Sequence, residues 1–167
     1  MKRALFAALL AAGLAAVVPA ASAQELPPGV RLGMGLAELR QALPALERVR
    51  RPQRLAGGLV GAWQVADAQV AGVIGTQTYY LAGGELRRIE FMADTAALPD
   101  GGSAAFDAVV AAGRERWGPE RPAQDAVSRY AAWSTADIDA YARLLAPPRA
   151  ALQLVISARP PRDDRQL

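Results

Sequence analysis

Two glycines, Gly83 and Gly84, stand between two runs of alternating character, VIGTQTYYL (73–81) and ELRRIEFMA (85–93). A two-residue link between strands needs positive φ, which glycine adopts without strain. The pair commits the middle of the chain to an antiparallel hairpin. In the second arm Leu86, Ile89 and Phe91 are apolar while Arg87, Arg88 and Glu90 are polar. That imperfect alternation suits a sheet with one face on a core and the other in water. LVGAWQV (59–65) reads as an earlier strand with Leu59, Gly61, Trp63 and Val65 on one side. VSRYAAWS (127–134), IDAYARLL (138–145) and AALQLVIS (150–157) read as three later ones, separated by short polar or Pro-Pro breaks.

Two segments carry helical spacing instead. Leu36, Leu39 and Leu43 recur at i, i+3 and i+7, predicting a short helix over 36–43 that Pro44 ends. Gly33 and Gly35 precede it, where they would turn an extended "VRL" sharply into the helix, and Glu38 is placed to satisfy a free amide at its start. Phe106, Val109, Val110, Gly113 and Trp117 predict a second helix that begins at Ser103, as cap, and stops at Gly118-Pro119. Trp117 is expected on the sheet beside Phe106, Val110 and Leu86. The order is helix, strands, helix, strands. An α+β fold, with both helices packed on one face of an antiparallel sheet, is the simplest way to bury these stripes.

The first 23 residues belong to a different problem. Lys2 and Arg3 lead into an uncharged apolar run, Pro19 breaks it, and Ala21-Ser22-Ala23 offers small residues for cleavage. This is the layout of a secretory signal peptide, and the apolar run falls short of the roughly 20 residues a spanning helix needs. The expectation is a signal peptide over 1–23, one domain over 24–158 and a loose tail over 159–167, the mature chain being periplasmic or secreted with no stable membrane anchor. Without Lys2 and Arg3 the chain has 17 arginines against 16 acidic residues, a balance of +1. Such a balance gives no footing to a nucleic-acid partner.

At this point a resemblance enters. RLGMGLAELRQALP matches, at Gly33, Met34, Glu38, Leu39 and Leu43, the opening of small bacterial envelope proteins. These include the outer-membrane assembly lipoproteins related to the β-lactamase-inhibitor-protein fold. YYLAGGELRRIEFM resembles the hairpin that follows in them, and RERWGP and AAWST resemble segments of other exported bacterial proteins. The resemblance implies the fold and the envelope setting. The lipid anchor of the assembly lipoproteins does not carry over, because the chain has no cysteine.

Chemistry is narrowed by residue types. With no histidine and no cysteine, a Ser-His triad, a thiol nucleophile and an imidazole or thiolate zinc site are excluded. No lysine follows Lys2 to serve as base for Ser103, Ser128, Ser134 or Ser157. DGGS (100–103) lacks the Gly-Lys-Ser/Thr core of a phosphate loop and reads as a turn and cap. Asp137 and Asp139 share a strand face and are either a carboxylate pair or a solvated edge. No metal site and no cofactor is expected. In ERVRRPQR, Arg48 and Arg50 would share a face, forming either an anion-binding patch or a charged edge that discourages aggregation. Tyr79 and Tyr80 are adjacent, so one faces the core and the other faces water or a ligand. Tyr130 lies on a later strand. Trp63, Trp117 and Trp133 are either core or part of an aromatic surface.

Two functions remain. One is a non-enzymatic envelope protein that binds another protein or a peptide through its sheet face, with Tyr79, Tyr80, Tyr130, Arg48 and Arg50 as candidate contacts. The alternative is a carboxylate-dependent hydrolase or small-ligand carrier in the periplasm.

Overall fold

The computed structural model describes residues 27–121 and 128–159. The expected signal peptide, its cleavage site and the tail beyond Arg159 lie outside the described residues. The fold is α+β, with seven strands in one antiparallel sheet and two helices. In chain order these are α1 (Leu36–Ala42), β1 (Glu47–Arg54), β2 (Val60–Val70), β3 (Val73–Ala82), β4 (Glu85–Asp94), α2 (Ser103–Trp117), β5 (Arg129–Ser134), β6 (Ile138–Leu145) and β7 (Ala151–Ala158). Across the sheet the strands run β1-β2-β3-β4-β7-β6-β5, so β4 and β7 join two meanders at the centre.

Gly83 and Gly84 have φ of 60° and 84° and close β3 onto β4 in register, Ala82 opposite Glu85. β2 continues five residues beyond the expected 59–65 because the chain absorbs Asp67, at φ 53°, in a bulge between Val65 and Ala68. A bulge hides from a period-two reading. ERVRRPQR is the edge strand β1, irregular between Arg48 and Gln53. Pro52 is tolerated there because an edge leaves backbone groups unpaired.

The register sets one row across all seven strands: Arg48, Trp63, Tyr79, Ile89, Ile156, Ala140, Trp133. Every residue of that row from Tyr79 to Trp133 belongs to the buried core, together with Leu39 of α1 and Phe106, Val109 and Val110 of α2. Arg40 of α1 lies over the Trp63 ring, 4.5 Å from its centre. Gly113 of α2 gives way to the Trp133 ring, whose indole N–H donates to the Gly118 carbonyl at 3.1 Å. Trp117, half-buried, meets the same ring at 5.4 Å between centroids. The neighbour expected for it, Leu86, lies on β4, three strands from β5.

The opening of α1 depends on Gly33 and Glu38. Gly33 has φ 89° and donates to the Leu86 carbonyl at 2.7 Å, which fixes the segment against β4. Gly35, at φ −74°, is ordinary extended backbone, so the expected special geometry belongs to Gly33. The Glu38 carboxylate accepts from the Gly35 amide at 2.9 Å. Gly33→Val should destabilise the protein by about 1–3 kcal/mol, the scale of a forced backbone conformation, and Gly35→Ala should cost much less. Urea midpoints of the two variants check this, and equal losses would show that the turn is not what the glycine serves.

At α2 the cap is Asp100 rather than Ser103. Its carboxylate accepts from the Gly102 amide at 3.0 Å and the Ala104 amide at 2.6 Å, and these amides hold its carboxyl below the ordinary range. Ser103 is the first helical residue, and its hydroxyl accepts from Arg129. Arg159, expected to open a loose tail, is tied down: its amide donates to the Asp137 carbonyl at 2.8 Å and its guanidinium to the Thr135 carbonyl at 2.9 Å.

Candidate binding face of the sheet

Side chains alternate across a sheet, so the residues between those of the core row point the other way. Three rows form this second face. Tyr80, Arg88, Ser157, Asp139 and Ser134 make one; Gln64, Thr78, Glu90, Val155, Tyr141 and Ala132 the next; Thr76, Met92, Gln153, Arg143 and Tyr130 the third. The composition is polar and aromatic, unlike the core row, and Met92 is exposed at 38%.

At its centre four side chains form a chain of hydrogen bonds. Arg88 Nη2 donates to Glu90 Oε2 at 3.2 Å, Gln153 Nε2 donates to Glu90 Oε1 at 2.5 Å, and Arg143 Nη2 donates to Gln153 Oε1 at 2.9 Å. Arg88 and Glu90 are only 19% and 15% exposed. Burial works against the Arg88 charge; hydrogen bonding to Tyr141 and the Glu90 carboxylate outweigh it and hold the guanidinium above its ordinary range. The Nε atoms of Arg88 and Arg143 are buried and have no acceptor. Under this layer Val155 is fully enclosed, because the arginine stems lie along the sheet.

Tyr80 closes one side. Its ring fills the space over Gly61, where a Cβ would come within 2.6 Å of it. Its hydroxyl donates to Gln53 Oε1 of β1 at 2.6 Å. Burial, then the charge on Glu90, pushes that hydroxyl up to about 12. Next to it runs a groove of about 310 Å³ bordered by Val49, Arg51, Gln53, Gln64, Thr76, Thr78, Tyr80, Glu90 and Met92. On the far side Tyr130 and Tyr141 stack at 5.7 Å and 24°.

The candidate residues divide. Tyr80 and Tyr130 both lie on this face. Tyr79 does not: it is wholly buried in the core row, donates to Gln77 Oε1 at 2.8 Å, and burial holds its hydroxyl well above the ordinary range. Of the arginine run, Arg51 borders the groove, whereas Arg48 belongs to the Trp63 row and Arg50 is exposed without lining the groove. The carboxylates of the alternative reading do not meet. Asp139 accepts from Ser134 Oγ and pairs with Arg159 at 3.2 Å, while the contact Arg159 makes to Asp137 is to its backbone carbonyl. Among the described residues no three acidic side chains gather as they would around a metal ion.

Glu90, Arg143 and Gln153 are additions that the strand pattern did not single out as a site. One signal was present: Gln153 is the one polar residue inside the apolar run AALQLVI, and a lone amide in a central strand needs partners. A second cavity, of about 300 Å³, opens at the sheet end among Thr95, Leu144, Leu145, Pro147 and Arg129. Its walls are largely aliphatic. No known protein family, curated protein or solved structure matches the chain.

Proposed function

We propose that this is a non-enzymatic protein of the bacterial envelope whose helices both pack on one face of the sheet and whose other face binds a protein or peptide. The observation that carries the reading is the Arg88–Glu90–Gln153–Arg143 chain, set between the Tyr130–Tyr141 stack and the groove beside Tyr80. A merely solvated face has no need of half-buried charged side chains whose polar atoms are left unsatisfied, since each costs free energy. Aromatic side chains and arginine are the types enriched where proteins meet. Arg40 over Trp63 and Gly113 against Trp133 mark the opposite face, at the two ends of the core row, as the one the helices occupy. Export, with cleavage after Ala23, rests on the leader pattern of the first residues. The envelope setting agrees with the resemblance of RLGMGLAELRQALP to small envelope proteins.

Photo-cross-linking in living cells tests the working surface. A benzophenone side chain at Thr78, Met92 or Tyr130 should give discrete adducts with one partner, and the same group at Ala108 or Glu115 on the outside of α2 should not. Adducts confined to the α2 positions would overturn the reading. Intact mass of the envelope form should begin at Gln24, and a species retaining Met1 would contradict export with cleavage.

A further inference from the structure

We propose that the open face recognises a carboxylate, presented by an extended acidic segment of a partner protein, at the Arg88–Arg143 pair; this rests on the sheet-face reading above. The central network holds two guanidinium groups and one carboxylate, joined through Gln153. Its inner charge is therefore not balanced, and Arg51 on the groove wall adds a third cation close by. The Asp139 carboxylate at the edge of the face is taken by Ser134 and Arg159, and Glu47 by Gln64, so neither is free to supply the balance. A cation drawn out of water and left incompletely paired costs free energy unless an anion joins it.

The kind of anion follows from the donors. Glu90 occupies one Nη2 of Arg88, and Gln153 one Nη2 of Arg143. The remaining N–H groups of each fork suit a planar acceptor with two oxygens, which is a carboxylate. The groove, at about 310 Å³, lies at the small end of ligand pockets, roughly 300–1,000 Å³. It takes an acidic side chain and its neighbours rather than a cofactor. The stacked Tyr130 and Tyr141 and the exposed Met92 offer apolar contact on either side of the carboxylate position. Thr76, Thr78 and Gln64 supply neutral hydrogen-bonding groups along the floor, which suits the amides of an extended chain.

The test is fluorescence anisotropy with a labelled hexapeptide, Ala-Tyr-Glu-Glu-Tyr-Ala, and its analogue with glutamine at both acidic positions. The acidic peptide should bind at least about tenfold more tightly, the scale of a hydrogen bond to a charged group. Arg143→Gln should remove that preference, and Arg51→Gln, an exposed residue outside the network that leaves folding intact, should reduce it about threefold, as a rim charge does. Sodium acetate competing as well as the peptide would show that a free carboxylate suffices and would overturn the peptide half of the proposal. Equal binding of the two peptides, or a preference unchanged in both variants, would overturn the whole. If cross-links still map to Thr78, Met92 and Tyr130 in that case, the sheet face stands and only its acidic specificity falls. Cross-links confined to α2 would remove the face itself.

Discussion

Replacing Trp133 with alanine should destabilise the protein by about 3–5 kcal/mol, the range for a large aromatic removed from a core. Trp133 is 3% exposed, ends the row that crosses the whole sheet, and takes the close approach of α2 at Gly113. Its indole N–H holds the Gly118 carbonyl at the C-terminus of that helix, so the substitution also frees a helix end. Trp117→Ala should cost clearly less, because Trp117 is only half-buried and leans on Trp133 from outside. Urea unfolding of the two variants decides the order. A larger loss at Trp117 would mean that the helix docks through its last turn rather than through its middle.

Gly113→Ala should also destabilise, by about 1–3 kcal/mol, the cost of overfilling a packed interior. On helix propensity alone the change would stabilise by about 1 kcal/mol. The opposite sign is expected because a Cβ at this position would lie 2.4 Å from Cζ2 and 2.7 Å from Cη2 of Trp133. The indole is hemmed in by Trp117 and the Gly118 carbonyl, so it has little room to retreat. In a Trp133→Ala background the clash disappears, and Gly113→Ala should then stabilise. The pair forms a double-mutant cycle whose coupling reports contact directly. Additive effects would show that helix and tryptophan do not touch.

This pairing also marks what the sequence could and could not say. Phe106, Val109, Val110, Gly113 and Trp117 announce a helix by spacing, but Gly113 reads there as a weakness. Only the register of β5 against β6, which brings Trp133 opposite Ala140, shows the glycine to be a seat for an indole. The hairpin at Gly83-Gly84 was legible because its requirement, positive φ at two residues, is local. The same holds for the turn at Gly33. The cap of α2 went to Asp100 because a carboxylate two residues before the first helical residue can reach two amides, Gly102 and Ala104, which a single hydroxyl at Ser103 does not.

The face residues divide on similar grounds. Adjacency alone dictates that Tyr79 and Tyr80 point oppositely, and it leaves open which of them is outside. The partners decide it: Gln77 for Tyr79 inside, Gln53 of the edge strand for Tyr80 on the open face. Arg48 and Arg50 looked like the basic pair in ERVRRPQR, yet the alternate positions, Val49, Arg51 and Gln53, border the groove. The network of Arg88, Glu90, Gln153 and Arg143 joins residues up to 63 apart in the chain. No periodicity within one strand encodes such a meeting; the pairing of β4 with β7 creates it.

The two methionines of the described residues report on the two faces separately. Met34 is 5% exposed beneath α1, and Met92 stands on the open face between Thr76 and Gln153. With the methionine methyl groups labelled with carbon-13, the partner found by cross-linking is titrated in. The Met92 methyl resonance should shift or broaden in step with binding while that of Met34 stays in place. Movement at Met34 with Met92 unchanged, under conditions where binding is measured independently, would contradict the claim that the protein works through the sheet face its helices leave open.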